Sequence, residues 1–301
     1  MSADDRMDIA ASLVGRLIET QFPRWAGLPV EPVANGGWDN RTFHLGDTMS
    51  VRLPSNGRYA AQVEKEAHWL QRLAPHLPRP VPEPLAVGVP GEGYPFAWSV
   101  YRWIEGETAR PERIADMQRF AFDIADFLNA LRAIDAGEGP LAGAQNFHRG
   151  GGLCVYDDEA RAAIGILSDE VDATVLTAIW ERARASTWQA PPVWLHGDVS
   201  EGNLLVKDGK LSAVIDFGTC GIGDPACDLT IAWTLLDVPS ARLFRDRIGL
   251  DRQTWERARG WCLWKALIKI AELRDTDPAA ADPYRRWIAR LLADTRFADR
   301  P

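Results

Sequence analysis

Apolar and polar positions follow two different periods along this chain, and the change from one to the other divides it. Residues 7–20 (MDIAASLVGRLIET) space their apolar side chains as one face of a helix. After a Pro/Gly-rich connector, Val30 to Leu45 and Thr48 to Leu53 read as short strands around Asn35-Gly36-Gly37 and Gly46-Asp47. Ala60 to Leu73 predicts an amphipathic helix, with Val63, Ala67, Leu70 and Leu73 at helical intervals, stopped by the proline cluster Pro75 to Pro84. Ala97 to Trp103 is a further strand, ending at Glu105-Gly106. From Ile114 onward helices dominate, at roughly 114–135, 157–168, 171–187, 226–236, 240–248, 252–274 and 282–296. The shift near residue 104 predicts an α+β fold in two lobes: 1–104 with strands plus a helix, and 105–301 mainly helical. Clefts between lobes are common ligand sites. No internal repeat or low-complexity segment interrupts the pattern.

One β-rich island breaks the helical half. The apolar Val193-Trp194-Leu195 ends in a turn at His196-Gly197-Asp198. Two runs follow, Asn203 to Lys207 and Lys210 to Asp216, separated by Asp208-Gly209. That dipeptide is the strongest short hairpin signal, because both central positions of the tight turn need φ > 0. A two-residue loop sets Lys207 opposite Lys210 and Asn203 opposite Val214, with Asp216 the diagonal neighbour of Asn203, about 7–8 Å away on the same face. An amide oxygen and a carboxylate then converge beside Asp198. Oxygen donors of this kind suit Mg²⁺, which keeps phosphate and water as its other ligands.

Composition narrows the classes. The chain has 301 residues, 46% hydrophobic and 25% charged, which describes an ordinary soluble globular protein. No uncharged run reaches the ~18 residues of a membrane span. The N-terminus MSADDRMDIAASLV carries early acids and lacks the basic start of a secretion signal. Cys154, Cys220, Cys227 and Cys262 show no C-x-x-C spacing, so a reducing cytoplasm is expected. The net charge is −8, with −1 in residues 1–104 and −7 in residues 105–301. This excludes a basic nucleic-acid footprint and leans toward a cationic small-molecule partner. No protein partner is implied.

The ordered set His196-Gly197-Asp198, Asn203, Ile215-Asp216-Phe217-Gly218 and Gly223-Asp224-Pro225-x-x-Asp228-Leu229 resembles the catalytic core of the aminoglycoside phosphotransferase family, small-molecule relatives of protein kinases. Either triplet alone is common in turns; the order and the hairpin between them carry the likeness. The resemblance implies a bilobal protein-kinase-like fold, with a small lobe of antiparallel sheet plus helix and a larger helical lobe. It implies transfer of the γ-phosphoryl of ATP or GTP to a hydroxyl of a small molecule, with Mg²⁺. By resemblance Asp198 is the base or orienting group, and Asn203 and Asp216 are the metal ligands. Arg52 stands where the third strand should carry a phosphate-gripping lysine, with Glu66 as its partner and Glu64 as runner-up. Gly36 and Gly37 sit where the phosphate-covering loop belongs, without the G-x-G-x-x-G spacing. The nucleotide base is expected along the segment from Ser99 to Ile104, which includes Tyr101 and Trp103.

Some motif residues read as structural. His196 holds the loop by hydrogen bonds, and Asp224 before Pro225 makes a helix N-cap. Gly197 replaces the arginine of protein kinases, and no Ala-Pro-Glu segment follows, so phospho-activation is not expected. Asp157, Asp158 and Glu159 open a helix, where acids are favourable, and are also acceptor candidates with Glu272. Trp233, Trp255, Trp261 and Trp264 fall at helical spacing and read as core. The acceptor stays open between an antibiotic, such as an aminoglycoside, and a metabolic alcohol of the choline, sugar or homoserine kind. A catalytically silent nucleotide-binding scaffold is the rival class.

Overall fold

The computed structural model describes residues 7–34, 37, 39–294 and 296. Gly36 lies outside the described residues, as do Asn35 and Trp38. Helix α1 (Ala11–Gln21) leads into strands β1 (Val30–Pro32), β2 (Asn40–Leu45) and β3 (Met49–Pro54). Helix α2 (Gly57–Leu73) follows, then β4 (Pro84–Gly88) and β5 (Trp98–Arg102). The five strands form one antiparallel sheet in the order β1-β2-β3-β5-β4. Strand period puts Val51 opposite Phe43 and Val100, and this buried row packs with Val14, Leu17 and Ile18 of α1. Arg52, next to Val51 and opposite Thr42 and Ser99, therefore belongs to the other face. Asn56 caps α2 by accepting the Arg58 N–H at 3.1 Å, and the helix buries Val63, Glu66, Ala67, Leu70 and Leu73. Strand β4 escaped the sequence reading because it opens within the proline cluster. Proline is tolerated there because β4 is an edge strand, irregular between Pro84 and Ala86.

The rest of the chain runs β6 (Glu107–Thr108), α3 (Met117–Ala133), α4 (Asp157–Ile166), α5 (Ala173–Arg184) and β7 (Val193–Leu195). The hairpin β8 (Leu204–Lys207) and β9 (Lys210–Val214) is followed by β10 (Gly221–Gly223). Four helices close it: α6 (Ile231–Thr234), α7 (Val238–Ile248), α8 (Arg252–Leu273) and α9 (Pro278–Ala293). The single helix expected over 226–236 is instead a 3₁₀ segment, Pro225–Thr230, continued by the four-residue α6. Helix α8 is buried nearly all round, including Trp255, Trp261 and Trp264, so these tryptophans are core as expected.

The hairpin turn forms as read. Asp208 and Gly209 both have positive φ, 52° and 75°, and Lys207 faces Lys210. The register beyond it does not hold. A bulge between Leu205 and Val206 pairs Leu204, not Asn203, with Val214. One additional residue on β9 oppositely placed to that break shifts every pair beyond it by one. Asn203 lies instead beside Ile215, whose N–H donates to the Asn203 carbonyl at 2.9 Å. The bulge thus brings Asn203 one residue closer to Asp216 along the strand than a regular ladder would.

Candidate active site

The loop from His196 to Asp198 is held from beneath by one buried carboxylate. Asp228 accepts the N–H groups of His196 at 2.8 Å and Gly197 at 2.7 Å. His196 is fully buried, with Nδ1 accepting the Asp198 N–H at 3.2 Å and Nε2 3.0 Å from the Ile215 carbonyl. A neutral ring with its proton on Nε2 satisfies both contacts. His196 therefore ties the loop to the end of the hairpin. Gly197 has φ +90°, and a Cβ there would lie 2.6 Å from the Thr219 carbonyl oxygen. Its glycine is a backbone requirement of this loop. Asp224 caps the segment after it through the Ala226 N–H and pairs with buried Arg257 at 2.6 Å.

Asp198 emerges from this support between an amide and a cation. Asn203 Nδ2 donates to its carbonyl at 2.9 Å and to Oδ2 at 3.1 Å, while Lys265 Nζ, from α8, lies 2.7 Å from Oδ1. Burial pushes the carboxyl's pKa up, but the Lys265 ammonium, with Arg149, outweighs it and brings the group down to about 2. Asp198 is thus ionised across the physiological range.

The opposite wall is an ion network centred on Glu66. Its carboxylate receives Arg52 Nη1 at 3.2 and 3.3 Å, the Tyr101 hydroxyl at 3.0 Å and the Phe217 N–H at 3.0 Å. Arg52 Nη2 continues to Asp216 Oδ1 at 2.7 Å. Burial opposes the charge on Arg52, but Glu66 and then Asp216 outweigh it and raise its pKa. Asp216 itself sits at φ +67°, a left-handed position that turns its side chain out of the strand. Arg52, Asn203 and Asp216 line a cavity of about 420 Å³ together with Gly37, Tyr101, Trp103 and Ile104. Ser99 is buried in the sheet opposite Arg52. The Trp103 N–H is already taken by the Thr48 carbonyl at 2.8 Å, so a base in the cavity would bond other groups of that segment.

Residues 30–261, well over half of the chain, match the family model for the phosphotransferase enzyme family, APH. The chain belongs to this family. It is 29% identical over 186 residues to an aminoglycoside 3'-phosphotransferase of Escherichia coli, which covers 60% of this chain and 65% of that relative. The chain thus spans just under two thirds of that curated relative's length. The GDP complex of wild-type aminoglycoside 2'-phosphotransferase-IIIa superposes with a TM-score of 0.71 over 94% of this chain and 99% of that one, at 18% identity. The streptomycin–ATP–APH(2'')-IIa ternary complex gives 0.60 over 95% and 97%, at 16% identity. The fold is therefore that of the aminoglycoside phosphotransferase, kinase-like group.

Within this phosphotransferase family member, two site oxygens remain for a hard cation. Asn203 turns its amide nitrogen to Asp198, leaving Oδ1, and Asp216 gives only Oδ1 to Arg52, leaving Oδ2. These donors fit Mg²⁺, which takes few protein ligands and completes its shell with phosphate and water. Among the described residues, no cluster of three or more His, Cys, Asp or Glu could hold a metal without such help.

The acceptor candidates fare differently. Asp157 is bound by Arg161 at 2.9 Å, Arg184 at 3.0 Å and the Trp180 indole N–H at 2.8 Å, so it braces α4 against α5. Glu159 accepts the Trp264 indole N–H at 2.7 Å, Glu272 pairs with Lys269 at 2.7 Å, and Asp158 is exposed. Asp157 and Glu272 are thus each paired with a cation of this chain. Three residues of the site went unread in the sequence. Lys265 and Arg149 are lone cations without a motif. Asp39 follows the glycine pair, and burial, aided by Asp216 and Asp198 and opposed by a hydrogen bond from Tyr59, pushes its carboxyl up to about 6.

Proposed function

We propose that this chain transfers the γ-phosphoryl group of ATP or GTP to a hydroxyl of a small molecule. The observation that carries the proposal is that Asn203, bonded to Asp198, and Asp216, paired with the Glu66-braced Arg52, line one cavity with Arg52 itself. Residues 1–104 would hold the nucleotide and residues 105–301 the acceptor. Arg52, fixed by Glu66, would bind the phosphates through its remaining N–H donors. Gly37 would let the backbone approach them closely. Asn203 and Asp216 would hold Mg²⁺, whose charge would offset that of the transferring phosphoryl group.

Asp198 would accept a hydrogen bond from the acceptor hydroxyl and aim its oxygen at the γ-phosphorus. The new P–O bond forms as the bridging bond to the β-phosphate breaks, and the nucleoside diphosphate leaves. With a pKa near 2, Asp198 is a weak base, so it works by orientation and takes the proton late. That suits a loose phosphoryl-transfer transition state, in which the nucleophile needs little early activation.

All four cysteines are free thiols, and no described helix is long and apolar enough to cross a membrane. The test is release of ADP or GDP from the Mg²⁺-nucleotide in the presence of candidate alcohols, aminoglycosides among them because the relatives are named for them. Absence of both nucleotide hydrolysis and a nucleotide-dependent rise in melting temperature would refute a phosphotransferase. The hydroxyl is what the site specifies; the acceptor's other groups depend on the side chains around Asp198.

A further inference from the structure

The chain is acidic, but the wall beside Asp198 is not. Lys265 reaches Asp198 from α8 at 2.7 Å. Arg149 comes from the turn between residues 143 and 152. Its guanidinium lies over the rings of Trp261, at 4.8 Å, and Trp264, at 5.1 Å. Trp264 is fixed in turn, stacked on Tyr156 at 4.0 Å and bonded through its indole N–H to Glu159. The platform under Arg149 is therefore rigid.

The turn that presents Arg149 is unusual. Phe147 and His148, both non-glycine residues, take consecutive left-handed conformations at φ 50° and 54°. Such conformations are strained for an L-residue and persist only where neighbours enforce them. Here the fully buried Asn146 enforces it, its Oδ1 accepting the Gly143 N–H at 2.9 Å and its Nδ2 donating to the Arg149 carbonyl at 3.3 Å. The Tyr156 hydroxyl adds a bond of 2.7 Å to the Phe147 carbonyl. After this expense in backbone conformation, Arg149 Nε and Nη1 are buried without a hydrogen-bond partner among the described residues. Buried guanidinium N–H groups are normally bonded.

Nearby acids do not cancel these cations. Glu272 is paired with Lys269. Glu201 has four basic residues within electrostatic range, Arg110, Arg286, Lys265 and Arg290. Arg149 also acts on Asp198 from within that range. A polycationic acceptor would have to approach the catalytic carboxylate past Lys265 and Arg149. An anion would meet two cationic groups within electrostatic range of Asp198.

We propose that the acceptor is a small alcohol bearing an anionic oxygen group, a carboxylate or a phosphate ester, which Arg149 and Lys265 bind while Asp198 takes the hydroxyl. This rests on the phosphotransferase reading and adds the acceptor's charge to it. Lys265 then exchanges part of its contact with Asp198 for the acceptor's anion.

The test uses the full chain with Mg²⁺-ATP and matched acceptor sets: hydroxycarboxylates, alcohols carrying a phosphate monoester, their neutral polyol or amide counterparts, amino alcohols, and kanamycin. Turnover is expected to be highest in an anionic set, and the two anionic arms tell carboxylate from phosphate. Arg149→Gln is expected to raise KM for the anionic acceptor roughly 10- to 100-fold, the range for losing one charge-assisted hydrogen bond, with a smaller change in kcat. Arg149→Lys should restore most of the affinity, and Arg149→Glu should favour the amino alcohols. Melting curves report whether each variant folds, and the wild-type ranking decides the matter even if none does. Equal or better kcat/KM with kanamycin or neutral alcohols overturns the inference, as does ATP hydrolysis without transfer to any anionic member. Loss of ATP hydrolysis and of the ATP-dependent melting shift would refute the phosphotransferase reading itself, a distinguishable result.

Discussion

Replacing Glu66 by alanine should do more damage than any other single change in the cleft. The residue is 4% exposed and its side chain accepts hydrogen bonds from Arg52, Tyr101 and the Phe217 N–H. Its removal leaves Arg52 with Asp216 as its one remaining carboxylate among these contacts, and strands a buried phenol and a buried amide. Breaking a buried ion pair costs about 3–5 kcal/mol, and each orphaned donor about 1–3 kcal/mol. These costs overlap, because the pair figure already contains part of the orphaning, so the expected loss is roughly 4–7 kcal/mol. A domain holds about 5–15 kcal/mol in total, so the variant approaches the limit of folding. At about 2 °C per kcal/mol for a chain of this size, Tm should fall by about 8–14 °C. Glu66→Gln preserves the shape and one acceptor oxygen but loses the charge, and should lose about half as much. Urea unfolding and calorimetry measure the loss, and titration of each variant with ATP measures the effect on Arg52. An alanine variant within 1 kcal/mol of wild type would refute this account of the network.

Three further outcomes follow from the same geometry. Asp198→Ala should abolish turnover while leaving nucleotide affinity within a few-fold, and equal loss of both would contradict its assignment to the acceptor. Lys265→Ala removes the main influence that lowers the Asp198 pKa and leaves burial, which raises it, opposed in part by Arg149. The acid limb of kcat/KM, where Asp198 is protonated and inactive, should therefore move up to pH values above the ordinary carboxylate value near 4; a pH profile from 4.5 to 8 with no new limb would argue against the pairing. Gly197→Ala forces an L-residue to φ +90° with a Cβ 2.6 Å from the Thr219 carbonyl oxygen, and should destabilise by roughly 2–4 kcal/mol with loss of activity, as read by calorimetry and ADP release.

What the sequence determined by itself was local. The Asp208-Gly209 turn, the helix over Ala60 to Leu73 and the strand carrying Arg52 were legible because each rests on neighbours a few residues apart. The same holds for the spacing of Asp198, Asn203 and Asp216, which a single hairpin gathers. The bulge was not legible, since it is set by packing on the sheet and not by the turn. Nor was strand β4, hidden in its prolines at a sheet edge. Only the tertiary structure decided what surrounds Asp198. Lys265 is 67 residues away along the chain, and Glu66 meets the Phe217 N–H across 151. Helix α8 is buried around most of its circumference, so no periodicity marks the lysine that reaches the site.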